Sequence, residues 1–222
     1  MGDISSLKYP NKSHRKIVLF PKKSIKLAEF FGLMMGDGGI NNLWQVTITL
    51  NFIKDKQYSV YVSGLINNLF GIVPVLRKRK ESQALVISLS STTIVDFLVN
   101  NGLIRGNKIR GGLKIPLWIL NRKSYRIACV RGLMDTDGGL YTHKHLVKGK
   151  EYNNIGLCFT SYSIDLINQV VDIFNENKII PHISNKGRSV YLYKEESITR
   201  YLKIFGTSND RISKVFNHWR DA

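Results

Sequence analysis

Acidic residues are scarce in this chain of 222 residues: 16 Asp and Glu stand against 33 Lys and Arg, a net charge of +17. An excess of that size costs self-repulsion in a folded domain, and a polyanion partner is its usual compensation. The charge by itself also fits a ribosomal or generally adhesive basic protein. Long apolar runs are missing too. The best candidate, residues 27–35, is interrupted by Glu29. It falls well short of the roughly 18–20 residues that cross a bilayer, which excludes a membrane-spanning helix. The opening stretch, MGDISSLKYPNKSHRK, has no apolar core of the kind a secretory signal needs. Cysteine is nearly absent. Cys129 and Cys158 both sit in apolar stretches and read as buried, reduced thiols. No CxxC or mixed Cys/His spacing is present, which excludes a structural zinc site. His143 and His145 alternate on an expected strand but lack a third ligand. The chain also lacks the Cys or Ser start and His-Asn end of a splicing intein. The two reduced thiols lead to the expectation of an intracellular, reducing compartment (an organelle such as a mitochondrion or chloroplast, or a prokaryotic cytoplasm), and the sequence leaves open which.

What the sequence does contain is itself, twice. Residues 26–40, KLAEFFGLMMGDGGI, resemble residues 125–140, YRIACVRGLMDTDGGL. The shared core, Gly-Leu-Met-x-x-Asp-Gly-Gly, starts at Gly32 and again at Gly132. An internal repeat of this kind organises everything around it. After the first copy, residues 44–52 alternate apolar and polar as a half-buried strand does, and residues 155–160 do likewise after the second. Amphipathic helices follow over 58–70 and 164–175. Pro74 and Pro181 each open a hairpin, spanning 75–89 and 182–193, and last helices follow over 92–101 and 197–205. Each half therefore reads αββαββα, and the fold class is α+β. The expected organisation is a basic N-terminal arm (1–20), a first repeat (21–105), a connection carrying Gly106, Gly111, Gly112 and Pro116 (106–123), and a second repeat (124–222).

The repeated motif carries the chemistry. Its first copy is apolar nearly all round, so it must be buried between other elements. Gly32 and Gly36 lie four apart, as do Ala128, Gly132 and Thr136. Small residues at that spacing let two helix backbones approach closely, so the two copies pack against each other. Asp37 and Asp137 then meet at equivalent helix ends, where the helix dipoles add partial negative charge. Two carboxylates at one buried place repel unless a cation sits between them. All-oxygen ligation favours Mg²⁺ and suits in-line phosphodiester hydrolysis. The paired glycines that follow terminate each helix and let backbone approach a bulky ligand. One Asp-Gly-Gly alone reads as a helix stop and turn; two in matched contexts, in a chain this basic, do not.

The stretches 30–38 and 130–138 resemble the LAGLIDADG motif of homing endonucleases, the second more closely, and the order of strands and helices extends the likeness over nearly the whole chain. The resemblance implies two pseudo-symmetric repeats, with two antiparallel four-stranded sheets forming a saddle and the helices on its outer face. It implies metal binding at Asp37 and Asp137, with Gly36 and Thr136 beside them. The cofactor would be Mg²⁺, with Mn²⁺ or Ca²⁺ as substitutes and Ca²⁺ supporting binding without cleavage. Asp135 matches the earlier acid of the motif, which is not a principal ligand; Met35 stands there in the first copy. Basic residues near the scissile phosphates would be Lys54, Lys108 and Arg211, with Lys214 as a rival to Arg211. The polar members of the alternating strands would read base edges in the major groove: Gln45, Thr47, Thr49, Asn51, Arg77 and Arg79 in the first half, and Tyr141, His143, Ser184, Lys186, Arg188, Tyr191 and Tyr193 in the second. Because the two repeats differ, a monomer would face a long, loosely palindromic duplex and leave short 3′ overhangs. A non-cleaving or bifunctional maturase binding intron RNA is the alternative on the same fold.

Overall fold

The computed structural model describes residues 18–184 and 186–221; most of the expected basic arm therefore lies outside the described residues. Helix α1, Ile25–Met35, begins where the Ser24 hydroxyl accepts a hydrogen bond from the Leu27 N–H at 3.2 Å. Every residue from Leu27 to Met35 is buried. Its partner is the other copy of the motif, helix α5, Lys123–Asp137. The contact is closest at the glycines. A Cβ added to Gly32 would lie 2.0 Å from the Cys129 carbonyl oxygen, and one on Gly132 would lie 2.2 Å from the Glu29 carbonyl oxygen. Each glycine thus faces the backbone three residues before the other, which is the signature of a pseudo-two-fold axis running between the helices.

Around this pair each half builds a sheet. The first half continues with β1 (Gly38–Gly39), β2 (Gln45–Asn51), α2 (Lys56–Phe70), β3 (Val75–Lys78), β4 (Ala84–Ser90) and α3 (Thr92–Asn100). The connection carries a single turn of helix, α4 (Leu117–Leu120). The second half follows with β5 (Gly138–Val147), β6 (Lys150–Thr160), α6 (Ile164–Glu176), β7 (His182–Ser184), β8 (Ser189–Leu192), α7 (Glu195–Ile204) and α8 (Asp210–Arg220). The sheets have orders β1-β2-β4-β3 and β5-β6-β8-β7 and are antiparallel throughout. Register follows the hydrophobic alternation. Val46, Ile48 and Leu50 pair with Leu89, Ile87 and Leu85, and all six are buried. A slip of one residue would turn that row out to solvent. The inner faces and the helices share one continuous core.

Three features go beyond the sequence reading. Helix α8 covers β5 and β6, with Ile212 buried and the Trp219 indole N–H donating to the Asn153 carbonyl at 2.7 Å. Its apolar residues Ile212, Phe216 and Trp219 do recur at helical spacing. The β5–β6 hairpin is far longer than its counterpart, because Lys148 and Gly149 both take positive φ (50° and 79°) and close it as a two-residue turn. The third is a correction: Cys158 is not a core residue. It pairs with Gly139 and Tyr191 on the sheet face away from the helices and is only half-buried, whereas Cys129 is fully enclosed. The strand periodicity that buries Phe159 turns its neighbour outward.

Candidate active site

Helices α1 and α5 end side by side. A Cβ built on Gly36 would touch the Thr136 hydroxyl at 2.1 Å and lie 3.4 Å from the Asp137 carboxyl carbon, so the tip of one motif meets the tip of the other. Burial pushes the Asp37 carboxyl up to about 7 from its ordinary 3.8. The neighbouring Asp137 and Asp55 carboxylates add to the rise, while Lys108 and Arg211 oppose it. Burial raises Asp137 in the same direction, against Lys108. We treat the two acids as one coupled centre that holds negative charge at a cost. Among the described residues its own side chains form no hydrogen bonds, so the oxygens are free for a ligand.

Lys108 comes in from the connection. Its ammonium donates to the carbonyl oxygens of Met35 (2.9 Å), Gly36 (2.5 Å) and Gly38 (2.8 Å), and more weakly to Met34 (3.5 Å). It caps the C-terminal end of α1, where the last carbonyls lack helical partners and the dipole is negative. Burial lowers its basicity, and Asp137 and Asp37 counter that. The Gly36 carbonyl, expected as a metal oxygen, is thus held by an ammonium in this structure. The Thr136 hydroxyl donates back to its own helix, to Gly132 and Leu133 at 3.0 Å each.

Arg211, in the first turn of α8, faces Asp55 with Nε 3.5 Å from Oδ1. The rival Lys214 is turned away onto Asp210 and is exposed. Lys54 sits exposed in the turn after β2, its N–H donating to the Asn51 side chain at 2.8 Å. The residue that this turn delivers to the centre is its neighbour Asp55, which the sequence reading passed over.

A second buried polar system crosses the helix pair on the Asp135 side. Glu29 accepts hydrogen bonds from Arg131 (2.5 Å), the Tyr61 hydroxyl (2.7 Å) and the Ser208 hydroxyl (2.7 Å). Asp135 accepts from the Thr207 hydroxyl (2.5 Å) and the Ser208 N–H (2.8 Å). Burial nevertheless keeps Asp135 at about 7. These groups knit the loop after α7 to the motif helices. A Glu amid the apolar residues of the first motif helix was the sequence signal for such a buried partner.

The outer face of the first sheet is polar. Gln45, Thr47, Thr49 and Asn51 alternate with the buried residues of β2, and β4 places Ser90, Ser88, Val86 and Ala84 directly opposite. Arg77 joins this face opposite Val86, and the Arg79 N–H bonds the Ala84 carbonyl. The corresponding face of the second sheet is aromatic. Tyr141 and His143 share it with His145, which stacks between His143 and Tyr152. Tyr191 stacks on Tyr193, and Ser184 lies opposite Ser189. Lys186 occupies the β7–β8 turn with a positive φ of 55°, and the Arg188 guanidinium lies over the Tyr162 ring at 5.1 Å. Tyr152 and His182 are face residues that the sequence reading did not name as readers of DNA, whereas His145 was expected beside His143 on this strand.

Solved structures match this architecture closely. The homing endonuclease I-LtrWI bound to target DNA superposes with a TM-score of 0.60 over 89% of each chain, at 10% identity. The meganuclease I-SmaMI bound to uncleaveable DNA gives 0.58, covering 91% of this chain and 89% of that one, also at 10% identity. I-DmoI, in complex with its nicked target DNA and manganese, gives 0.56 at 16% identity, covering 83% and 97%. This chain has the LAGLIDADG fold. At such low identity the likeness is one of architecture, and no family model or curated sequence matches the chain. Within the LAGLIDADG fold, Asp37 and Asp137 occupy the tips of the two motif helices, at the junction between the two sheets.

The donor set at these tips fits a divalent cation. Among the described residues it consists of carboxylate and carbonyl oxygens with no thiol or imidazole beside them, the set that hard cations take. No three His, Cys, Asp or Glu among the described residues are arranged so that they could hold a metal ion by themselves. Most coordination positions would therefore belong to water and phosphate oxygens, as they do for Mg²⁺ at phosphoryl centres.

Proposed function

We propose that this protein is a site-specific homing endonuclease that hydrolyses one phosphodiester on each strand of a long, loosely palindromic duplex. The observation that carries the reading is the meeting of Asp37 and Asp137, a hundred positions apart, at a shared buried point between the helix-free faces of the two sheets, one polar and one aromatic. A net charge of +17 supplies the phosphate attraction. The two outer faces supply side chains for base readout in the major groove.

Asp37 and Asp137 would hold the metal, with Gly36 and Thr136 flanking it. A divalent cation such as Mg²⁺ held by these residues would supply activation of a water and stabilisation of the leaving oxygen. The chain's own residues do the rest. Burial of both acids makes the empty centre costly and a cation welcome. Lys108 and Arg211 place positive charge where charge accumulates on the phosphoryl oxygens. The glycine pairs after the motif helices, Gly38–Gly39 and Gly138–Gly139, let the backbone approach the DNA. The product would carry short 3′ overhangs, and Ca²⁺ would support binding but not cutting. The same reading makes the protein a monomer encoded within an intron.

The test is cleavage of a randomised duplex library with Mg²⁺, comparing wild type with Asp37→Asn and Asp137→Asn. We expect a selected target to be cut by wild type and left uncut by either variant. Undiminished double-strand cleavage by either variant would overturn the assignment.

A further inference from the structure

The two halves are not equipped alike, and the difference lies at the first residue of their middle helices. Helix α6 starts conventionally: the Ser163 hydroxyl accepts from its own Leu166 N–H at 3.2 Å and donates to the Leu113 carbonyl at 2.5 Å. Ser24, Ser91 and Asn209 cap α1, α3 and α8 in the same way. Asp55 holds the matching position on α2, yet its carboxylate makes no hydrogen bond to its own helix. That forgoes a cap worth about 1 kcal/mol. The carboxylate is turned across the junction between the repeats instead. Oδ2 accepts from the Asn51 N–H at 3.0 Å; Oδ1 accepts from the Asn209 side-chain amide at 3.0 Å and faces Arg211 Nε at 3.5 Å.

Arg211 is the counterpart oddity. It is a cation in the first turn of α8, the end at which the helix dipole disfavours positive charge. Its Nε atom is buried 3.5 Å from Asp55 as an ion pair without a hydrogen bond, while the side chain as a whole is 35% exposed and, among the described residues, no acceptor engages its terminal nitrogens. Asn209, itself buried, fixes where α8 begins: its amide donates to both Asp55 and the Asp135 carbonyl (2.9 Å), and its oxygen accepts from the Arg211 N–H (3.0 Å). The guanidinium is therefore held by its inner edge with its outer fork open, the edge that matches a phosphate. Arg211 acts on Asp37, where Lys108 is also felt, whereas Lys108 is the cation that acts on Asp137.

We infer that Asp55 is a positioning residue that pins Arg211 for the phosphate of one strand only, so that the two strands of the target are cut by unequal machinery. The inference rests on the endonuclease reading. The decisive variant is Asp55→Ser, which imports the residue of the other half and restores an ordinary helix cap. With each strand of the selected target separately end-labelled, Asp55→Ser and Arg211→Gln should each slow the same strand about 10- to 100-fold, the scale of a misplaced catalytic group. The other strand should change by less than about threefold, and the double variant should be no slower than Arg211→Gln alone. Nicked duplex should accumulate. Equal slowing of both strands, or an unchanged strand ratio in Asp55→Ser, would overturn the inference. A second readout needs neither metal nor DNA. The Arg211 Nε–H proton, followed by NMR, should exchange slowly with water in wild type and at least about tenfold faster in Asp55→Ser. Equal exchange in the two proteins would also refute the pinning. Should wild type cut no target, the endonuclease reading fails while the exchange measurement still decides the role of Asp55.

Discussion

Replacing Asp37 with Asn should make the metal-free protein more stable while removing its activity. The folded state holds a proton on Asp37 up to about pH 7, whereas the unfolded chain releases it near 3.8. Between those values the folded state binds more protons than the unfolded one, so stability falls as pH rises through the window, and the full cost is present above about pH 7. The interval is worth about 4 kcal/mol at ~1.36 kcal/mol per pH unit, and solvent screening of this half-buried group reduces that to about 2 kcal/mol. Asn is nearly isosteric, and the Asp37 side chain makes no hydrogen bond that the change would remove. For a chain of this length, ~2 kcal/mol corresponds to a rise in Tm of about 4–8 °C. The assay is thermal unfolding in EDTA at several pH values. The Asp37→Asn protein should melt higher than wild type at pH 8, and the gap should shrink steadily toward pH 4. Adding Mg²⁺ at pH 8 should raise wild type and leave the variant nearly unmoved. A variant that melts no higher than wild type at pH 8, or by the same margin at both ends of the range, would refute the account of a strained acid centre.

Other perturbations probe other levels. Gly132→Ala would drive a Cβ to 2.2 Å from the Glu29 carbonyl oxygen and 2.9 Å from the Leu33 nitrogen, both backbone atoms; urea unfolding should show a loss of more than about 3 kcal/mol, as overpacking at an unyielding contact does. Glu29→Gln leaves Arg131, whose side chain is 23% exposed, without its charge partner; the same measurement should register about 3 kcal/mol of destabilisation, the low end for a broken buried pair. Changing Arg77 and Arg79 to Gln should weaken binding of the selected duplex by about 1–3 kcal/mol each and relax base preference beneath the first sheet. Fluorescence anisotropy over a salt series should then show little change in slope, since these two residues are assigned to bases and not to phosphates.

How much of this was legible beforehand depended on range. Periodicity and repetition reported local structure. The alternation in residues 44–52 reappears as β2, with every second residue buried, and the apolar motif at 26–40 reappears as an enclosed helix. The doubled Gly-x-x-x-small spacing correctly foretold that the two motif helices touch, because only a residue without Cβ tolerates backbone at 2.0–2.2 Å from that position. The meeting of Asp37 and Asp137 followed from that one contact. Helix α8 was legible too, in Ile212, Phe216 and Trp219, but it has no counterpart in the first half, so a reading guided by the repeat stopped short of it.

The sequence by itself therefore determined most of the elements and the pairing of the two acids, since each depends on side-chain spacing within a short segment or its copy. Only the tertiary structure decided which charges surround those acids. Lys108 reaches the α1 carbonyls across more than 70 positions, Asp55 meets Arg211 and Asn209 across more than 150, and Cys158 turns to the open face of its sheet. Spacing along a chain carries no information about such partners, because their attraction acts through space and becomes selective only once the fold has removed water from between them.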